Sequence, residues 1–87
     1  MEEIFRALSS DIRLKILDFL AEEARSVSDI VKRFSLTQPT ISHHLKVLKR
    51  VGLIVETRYK KWVYYRLNRE LFDKVKGFLE NLFNKGG

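Results

Sequence analysis

The chain of 87 residues has no cysteine, one proline, one methionine and one tryptophan. Without cysteine there is no disulfide framework, no thiolate metal site and no thiol nucleophile. Four glycines, two of them at the C-terminal end, leave no Gly-rich phosphate loop. No stretch approaches the roughly eighteen apolar residues of a membrane-spanning helix. The start, MEEIFRALSS, is acidic and lacks the apolar core of a secretory leader. A single soluble, cytoplasmic domain is the expectation. Acidic residues are also scarce where the chain is most basic. Residues 32–69 hold ten lysines and arginines against one carboxylate, Glu56, a net charge of +9. Residues 1–31 are net −3, with four basic and seven acidic residues, and residues 70–87 balance three against three. A basic block confined to one region is the electrostatic footprint of a polyanion-binding surface. A merely solubilising surface would mix its signs.

At the centre of that block lies TQPTISHHLKVLKRV, residues 37–51. Thr37 is a helix N-cap residue, its hydroxyl able to accept a backbone N–H of the first turn. Pro39 falls in that turn, where a missing N–H costs little. Ile41, Leu45 and Leu48 form one apolar stripe at spacings of four and three. Gly52 is placed to end the helix in the left-handed conformation. The remaining faces carry Gln38, Thr40, Ser42, His43, Lys46 and Arg50, with no carboxylate. Donors, hydroxyls and cations on one helix face suit the DNA major groove. Taken alone, the same segment also reads as an ordinary amphipathic surface helix.

The flanking chain decides between these readings. Ile4, Phe5 and Leu8 mark a short first helix, too short to stand alone. Ser10 caps a second helix over residues 11–24, with Ile12, Ile16, Leu17, Phe19 and Leu20 as its apolar side. Arg25 to Val27 reads as a connection, and Ser28 as the cap of a short helix with Ile30, Val31 and Phe34 inward. With Leu36 plugging the turn, residues 28–51 form a helix-turn-helix. After Gly52 the period becomes two. LIVETR and WVYYRL, joined through Tyr59, Lys60 and Lys61, predict a β-hairpin over residues 53–67. Arg58, Lys60 and Lys61 at its tip are placed to meet phosphate or the minor groove. Trp62, Tyr64 and Tyr65 are read as packing residues in preference to base-stacking ones. Asn68 caps a last helix over residues 69–84, ahead of a frayed end. Its stripe of Leu71, Phe72, Val75, Phe78, Leu79, Leu82 and Phe83 is wider than so small a domain can cover. With Ile4, Phe5 and Leu8 it is expected to form a homodimer interface. A membrane-surface helix is the other reading, disfavoured by the balanced charges of its polar face.

FRALSSDIRLKIL, VSDIVKRFSLTQPTISHHLKVLKRVGLI and ETRYKKWVYYRLN together resemble the ArsR/SmtB family of winged helix-turn-helix transcriptional repressors, over nearly the whole length. They are similar in particular to its short, metal-free, SdpR-like autorepressor branch. The resemblance implies a mainly α fold with a small β-hairpin: four helices, two strands and a fifth helix. It also implies a dimer through the first and last helices, and repression of the chain's own or a nearby promoter. By position, Gln38, Thr40, Ser42 and His43 would approach base edges. Lys46, Arg58, Lys60 and Lys61 would approach phosphates, with Arg50 on the same basic face. Two departures stand out. Many relatives have glycine at the wing tip, where this chain has Lys60. Metal sensors of the family place cysteines before the recognition helix or carboxylates and histidines on the last helix. Here the first position reads SVSDIV, and the last helix has Asp73 and Glu80 without histidine.

No cofactor is expected, and no catalytic constellation is found. His43 and His44, the only histidines, point about 100° apart on a helix and cannot close on one metal as an i,i+4 pair can. His43 faces the polar side, while His44 lies nearer the apolar side and reads as structural. Asp73 and Glu80 read as solvated carboxylates. The expectation is a homodimeric, sequence-specific regulator of double-stranded DNA at an inverted-repeat operator, with relief of repression by a protein partner left open. A winged-helix protein-interaction module and a ligand- or metal-responsive switch on the same fold are the alternatives.

Overall fold

The computed structural model describes residues 1–86. Five helices and three strands follow in the order α1 (Glu2–Leu8), α2 (Asp11–Glu22), β1 (Arg25–Ser26), α3 (Val27–Phe34), α4 (Gln38–Arg50), β2 (Ile54–Tyr59), β3 (Trp62–Leu67) and α5 (Arg69–Gly86). The four helices, hairpin and final helix stand as expected, with one addition. Arg25 and Ser26 are a strand, pairing antiparallel with Tyr65 and Tyr64, so the sheet has three strands in the order β1-β3-β2. The cap of α3 also differs. It is Ser26, whose hydroxyl accepts from Asp29 N while the Asp29 carboxylate accepts from Ser26 N. This reciprocal capping box satisfies two backbone donors, whereas a cap at Ser28 would satisfy one. The backbone hydrogen bond from Ser26 holds the Asp29 carboxyl below its ordinary value. At the far end, α5 stays helical through the expected fray to Gly86, and Gly87 lies outside the described residues.

Ile16, Leu20, Ile30, Ile41, Leu45, Leu48 and Leu53 are the largest fully buried side chains. They come from α2, α3, α4 and the start of the hairpin, so the helix-turn-helix is built directly on the core. Burial of each such side chain stabilises the fold by about 1.5–3 kcal/mol before entropy is counted. The exit from α4 is fixed by backbone geometry. Gly52 has φ 85°, its N–H reaches Lys49 O, and Leu53 N–H reaches Leu48 O, both at 3.0 Å. These are the paired bonds of a Schellman motif. Asn68 then ties the far end of the hairpin to this turn. Its Nδ2 donates to Gly52 O at 2.8 Å, its N–H donates to Leu53 O, and its Oδ1 caps α5 at Leu71 N. One asparagine therefore sets where the wing ends and where α5 begins.

Tyr59 and Trp62 face each other across β2 and β3, with Lys60 and Lys61 as the loop. Lys60 has φ 56°. A two-residue hairpin loop with positive φ at its first position favours glycine, and a lysine there carries strain of about 1 kcal/mol. Lys60→Gly is therefore expected to raise the thermal midpoint by a few degrees, although it removes a wing-tip cation. A calorimetric scan checks this, and an unchanged or lowered midpoint contradicts it.

Candidate nucleic-acid interface

The inward stripe of α4, Ile41, Leu45 and Leu48, is 0–2% exposed, which fixes the helix's rotation about its axis. Given that rotation, Gln38, Thr40, Ser42, His43, Lys46 and Arg50 are all exposed. His43, Lys46 and Arg50 lie opposite the core, about half a helical turn around the axis from the buried stripe. Thr37 caps the helix at Thr40 N, and the Thr37 hydroxyl also donates to the Thr40 hydroxyl at 2.9 Å. Thr40 is thus partly engaged in the cap.

One flank of α4 faces the hairpin. Lys49 Nζ meets Glu56 of β2 at 3.4 Å. Near the other end, Gln38 lines a shallow depression together with Trp62 and Val63 of β3 and Val27 and Val31 of α3. The wing therefore runs back beside the helix, its root near the helix's C-terminus and its tip near the N-terminus. Tip and helix N-terminus present Lys60, Lys61 and Gln38 on neighbouring surfaces. Lys60 and Lys61 stand 5.4 Å from the rings of Tyr59 and Trp62 respectively. Arg58 Nε lies 3.6 Å from Glu56 Oε2, so its charge is partly matched within the chain.

The packing reading of Trp62 needs correction. Tyr64 and Tyr65 are half-buried, but Trp62 is 50% exposed and Tyr59 63%. The hairpin extends past the core, and alternation along WVYYRL carries no information about where the core stops.

The opposite flank of α4 is held by the other helices. Arg13 of α2 donates from Nε to Ala7 O at the end of α1, at 2.6 Å, and its Nη1 stands 3.2 Å from His44 Nδ1. A guanidinium donates only, so Nδ1 accepts and His44 is the Nε2–H tautomer in this contact. Burial, then the Arg13 charge and the neighbouring His43, push the His44 pKa below the ordinary histidine value. His44 is structural, as its place near the apolar side implies, and it couples α1 and α2 to the recognition helix. Because its folded pKa lies below the unfolded one, it favours the native state above about pH 6.5. That contribution is lost as pH falls through the lower folded value. Stability of the wild type should therefore drop more between pH 7 and 5 than that of His44→Gln, as read by urea unfolding. Parallel pH profiles for the two proteins would contradict the assignment.

Of the expected interface residues on α1 and α5, the structure brings Phe5 and Phe78 together, with ring centroids 5.9 Å apart. Ile4, Leu8, Leu71 and Phe72 pack on the chain's own core, and Val75 is buried at 6% exposure. Phe78, Leu79, Leu82 and Phe83 remain exposed, Phe83 at 84%. No group of three or more His, Cys, Asp or Glu side chains able to hold a metal occurs among the described residues. No described helix is long and apolar enough to cross a membrane.

The model of the bacterial regulatory protein arsR family matches residues 10–55, from the cap of α2 into β2. The transcriptional repressor SdpR of Bacillus subtilis is 36% identical over 86 residues, which cover 99% of this chain and 96% of that protein. The arsenical resistance operon repressor of the same organism is 35% identical over 91 residues, covering 99% of this chain and 84% of the relative. Among solved structures, an ArsR-like transcriptional regulator from Rhodococcus sp. RHA1 superposes with a TM-score of 0.89 at 26% identity, over 97% of this chain and 79% of that one. The homodimeric winged helix-turn-helix DNA-binding domain of a possible ArsR-family regulator from Mycobacterium bovis gives 0.79 at 28% identity, over 97% and 78%. These relatives are transcriptional regulators. The chain belongs to the arsR family of bacterial regulatory proteins and is a winged helix-turn-helix transcriptional regulator.

Proposed function

We propose that the protein is a homodimeric repressor that binds an inverted repeat at its own or a neighbouring promoter, without metal or cofactor. The observation that carries this reading is the outward face of α4. It is free of carboxylates and exposed along its length, and at Gln38 it shares a depression with Trp62 and Val63, next to the basic tip of the wing. Gln38, Ser42 and His43 approach base edges, with Thr40 as a weaker contributor because its hydroxyl is shared with Thr37. Lys46, Arg50, Lys60 and Lys61 approach phosphates, supplying affinity without sequence information. Two recognition helices related by a twofold axis read half-sites about 34–36 Å apart, one turn of DNA. The exposed apolar end of α5, beside Phe5 of α1, supplies the dimer contact. The Mycobacterium bovis domain is homodimeric, which supports a dimer as such.

His43→Ala is the direct test of readout. It is expected to weaken operator binding about tenfold, in keeping with about 1–3 kcal/mol for one good base contact, and to leave binding to random duplex nearly unchanged. Equal losses on both duplexes, measured by fluorescence anisotropy, would reduce His43 to a backbone contact.

A further inference from the structure

Glu56 is the only carboxylate among residues 32–69, and it lies between the wing and the recognition helix. Its side chain is only 22% exposed. Oε1 accepts from the Tyr65 hydroxyl at 3.0 Å and faces Lys49 Nζ of α4 at 3.4 Å, and Oε2 lies 3.6 Å from Arg58 Nε. Tyr65 is its cross-strand partner on β3, and Arg58 sits two residues along the same strand face. The Tyr65 hydrogen bond outweighs partial burial and, with Lys49 and Arg58 beside it, holds the carboxyl below its ordinary range. Glu56 is thus ionised at neutral pH, within a surface otherwise built of cations.

Packing alone does not require a charge here. A neutral acceptor would satisfy the Tyr65 hydroxyl equally well. The charge instead bears on how the surface meets DNA. Each cation placed on a phosphate adds affinity for every sequence alike. Discrimination is the difference between correct and incorrect sites, and affinity common to both adds nothing to it. A region carrying a net charge of +9 is therefore at risk of binding any duplex.

We infer that Glu56 limits the protein's sequence-independent affinity for DNA: it occupies Lys49 and Arg58 and withholds two cations per protomer from the phosphate backbone. This inference rests on the DNA-binding reading above. A purely structural Glu56, fixing the wing against α4, gives the opposite sign, since its loss would loosen the wing and weaken binding to all DNA.

Glu56→Gln separates the two, because the amide oxygen still accepts from Tyr65 while the charge is gone. Wild type and variant are titrated by anisotropy against a duplex from the region upstream of the chain's own coding sequence and against a scrambled duplex, across a salt series. The variant is expected to bind the scrambled duplex about threefold to tenfold more tightly near 0.15 M salt. Its salt dependence is expected to steepen by about 0.9 for each additional phosphate neutralised, and the upstream duplex to gain by a similar factor, so that binding to any duplex rises while the upstream-to-scrambled ratio holds. Unchanged or weaker binding to the scrambled duplex, with an unchanged salt slope, overturns the inference and leaves the DNA-binding reading intact. Failure of the wild type to bind either duplex removes both. Lys49→Gln guards against a misfolded variant. It is expected to cost little in the wild-type background and several-fold more beside Glu56→Gln. Equal costs in the two backgrounds would show that Glu56 does not occupy Lys49.

Discussion

Replacing Leu82 and Phe83 together by glutamate is expected to yield a folded monomer that has lost roughly a hundredfold or more in operator affinity. Both side chains are exposed in the single chain, at 49% and 84%. The charges therefore fall on surface and leave the protomer core untouched. Phe78, Leu79, Leu82 and Phe83 form one stripe on the second half of α5, an apolar patch that a soluble monomer rarely leaves uncovered. Two glutamates within it would have to be buried unpaired in a dimer, and that cost outweighs what the remaining stripe contributes. Loss of the dimer turns binding of the second half-site from an intramolecular event into an independent one, and linked sites commonly exceed single ones by about 10²–10⁴. Sedimentation equilibrium gives the mass, and circular dichroism gives the retained helix. A variant that stays dimeric would move the interface away from α5.

Leu48→Ala should be the most damaging single truncation in the recognition helix. Leu48 is fully buried, and its carbonyl takes the Leu53 N–H in the turn that launches the wing. Removing three carbons there leaves a cavity and costs about 2–5 kcal/mol. In a domain this small, total stability is about 5–15 kcal/mol, and each kcal/mol shifts the midpoint by about 4–8 °C. A fall of more than about ten degrees is therefore expected, with operator binding retained below the new midpoint because no outward side chain has changed. A small shift would mean that the site collapses to fill the space, and that α4 is held chiefly by its contacts with α2 and the wing.

The parts of this molecule that follow from local rules were legible in its sequence. Thr37, Pro39, the stripe of Ile41, Leu45 and Leu48, and the left-handed Gly52 act within a few residues of themselves, and each behaves as its chemistry dictates. The unusual wing loop was also visible through the family resemblance, since Lys60 stands where many relatives have glycine, and it does adopt positive φ. Long-range features were not. The strand at Arg25 and Ser26 is too short to show alternation, and it exists because Tyr64 and Tyr65 pass beside it. The Arg13–His44 contact and the Lys49–Glu56–Tyr65 cluster join residues from different elements, and periodicity is silent about partners across a fold. The same limit applies to α5. Its stripe reads as one surface, but the fold divides it: Leu71, Phe72 and Val75 serve the protomer, while Phe78 to Phe83 are left over. Trp62 shows the converse error, an apolar side chain in a β pattern that ends on the surface.

The measurement that bears most directly on the central claim is fluorescence anisotropy of the wild-type protein on DNA from its own upstream region, beside a scrambled duplex, at two salt concentrations. A sequence-specific autorepressor binds the upstream duplex more tightly, and the preference persists at the higher salt because base contacts do not release counterions. Equal affinities that collapse together as salt rises would contradict sequence readout at that site. Absence of binding to either duplex would contradict the DNA-binding account as a whole.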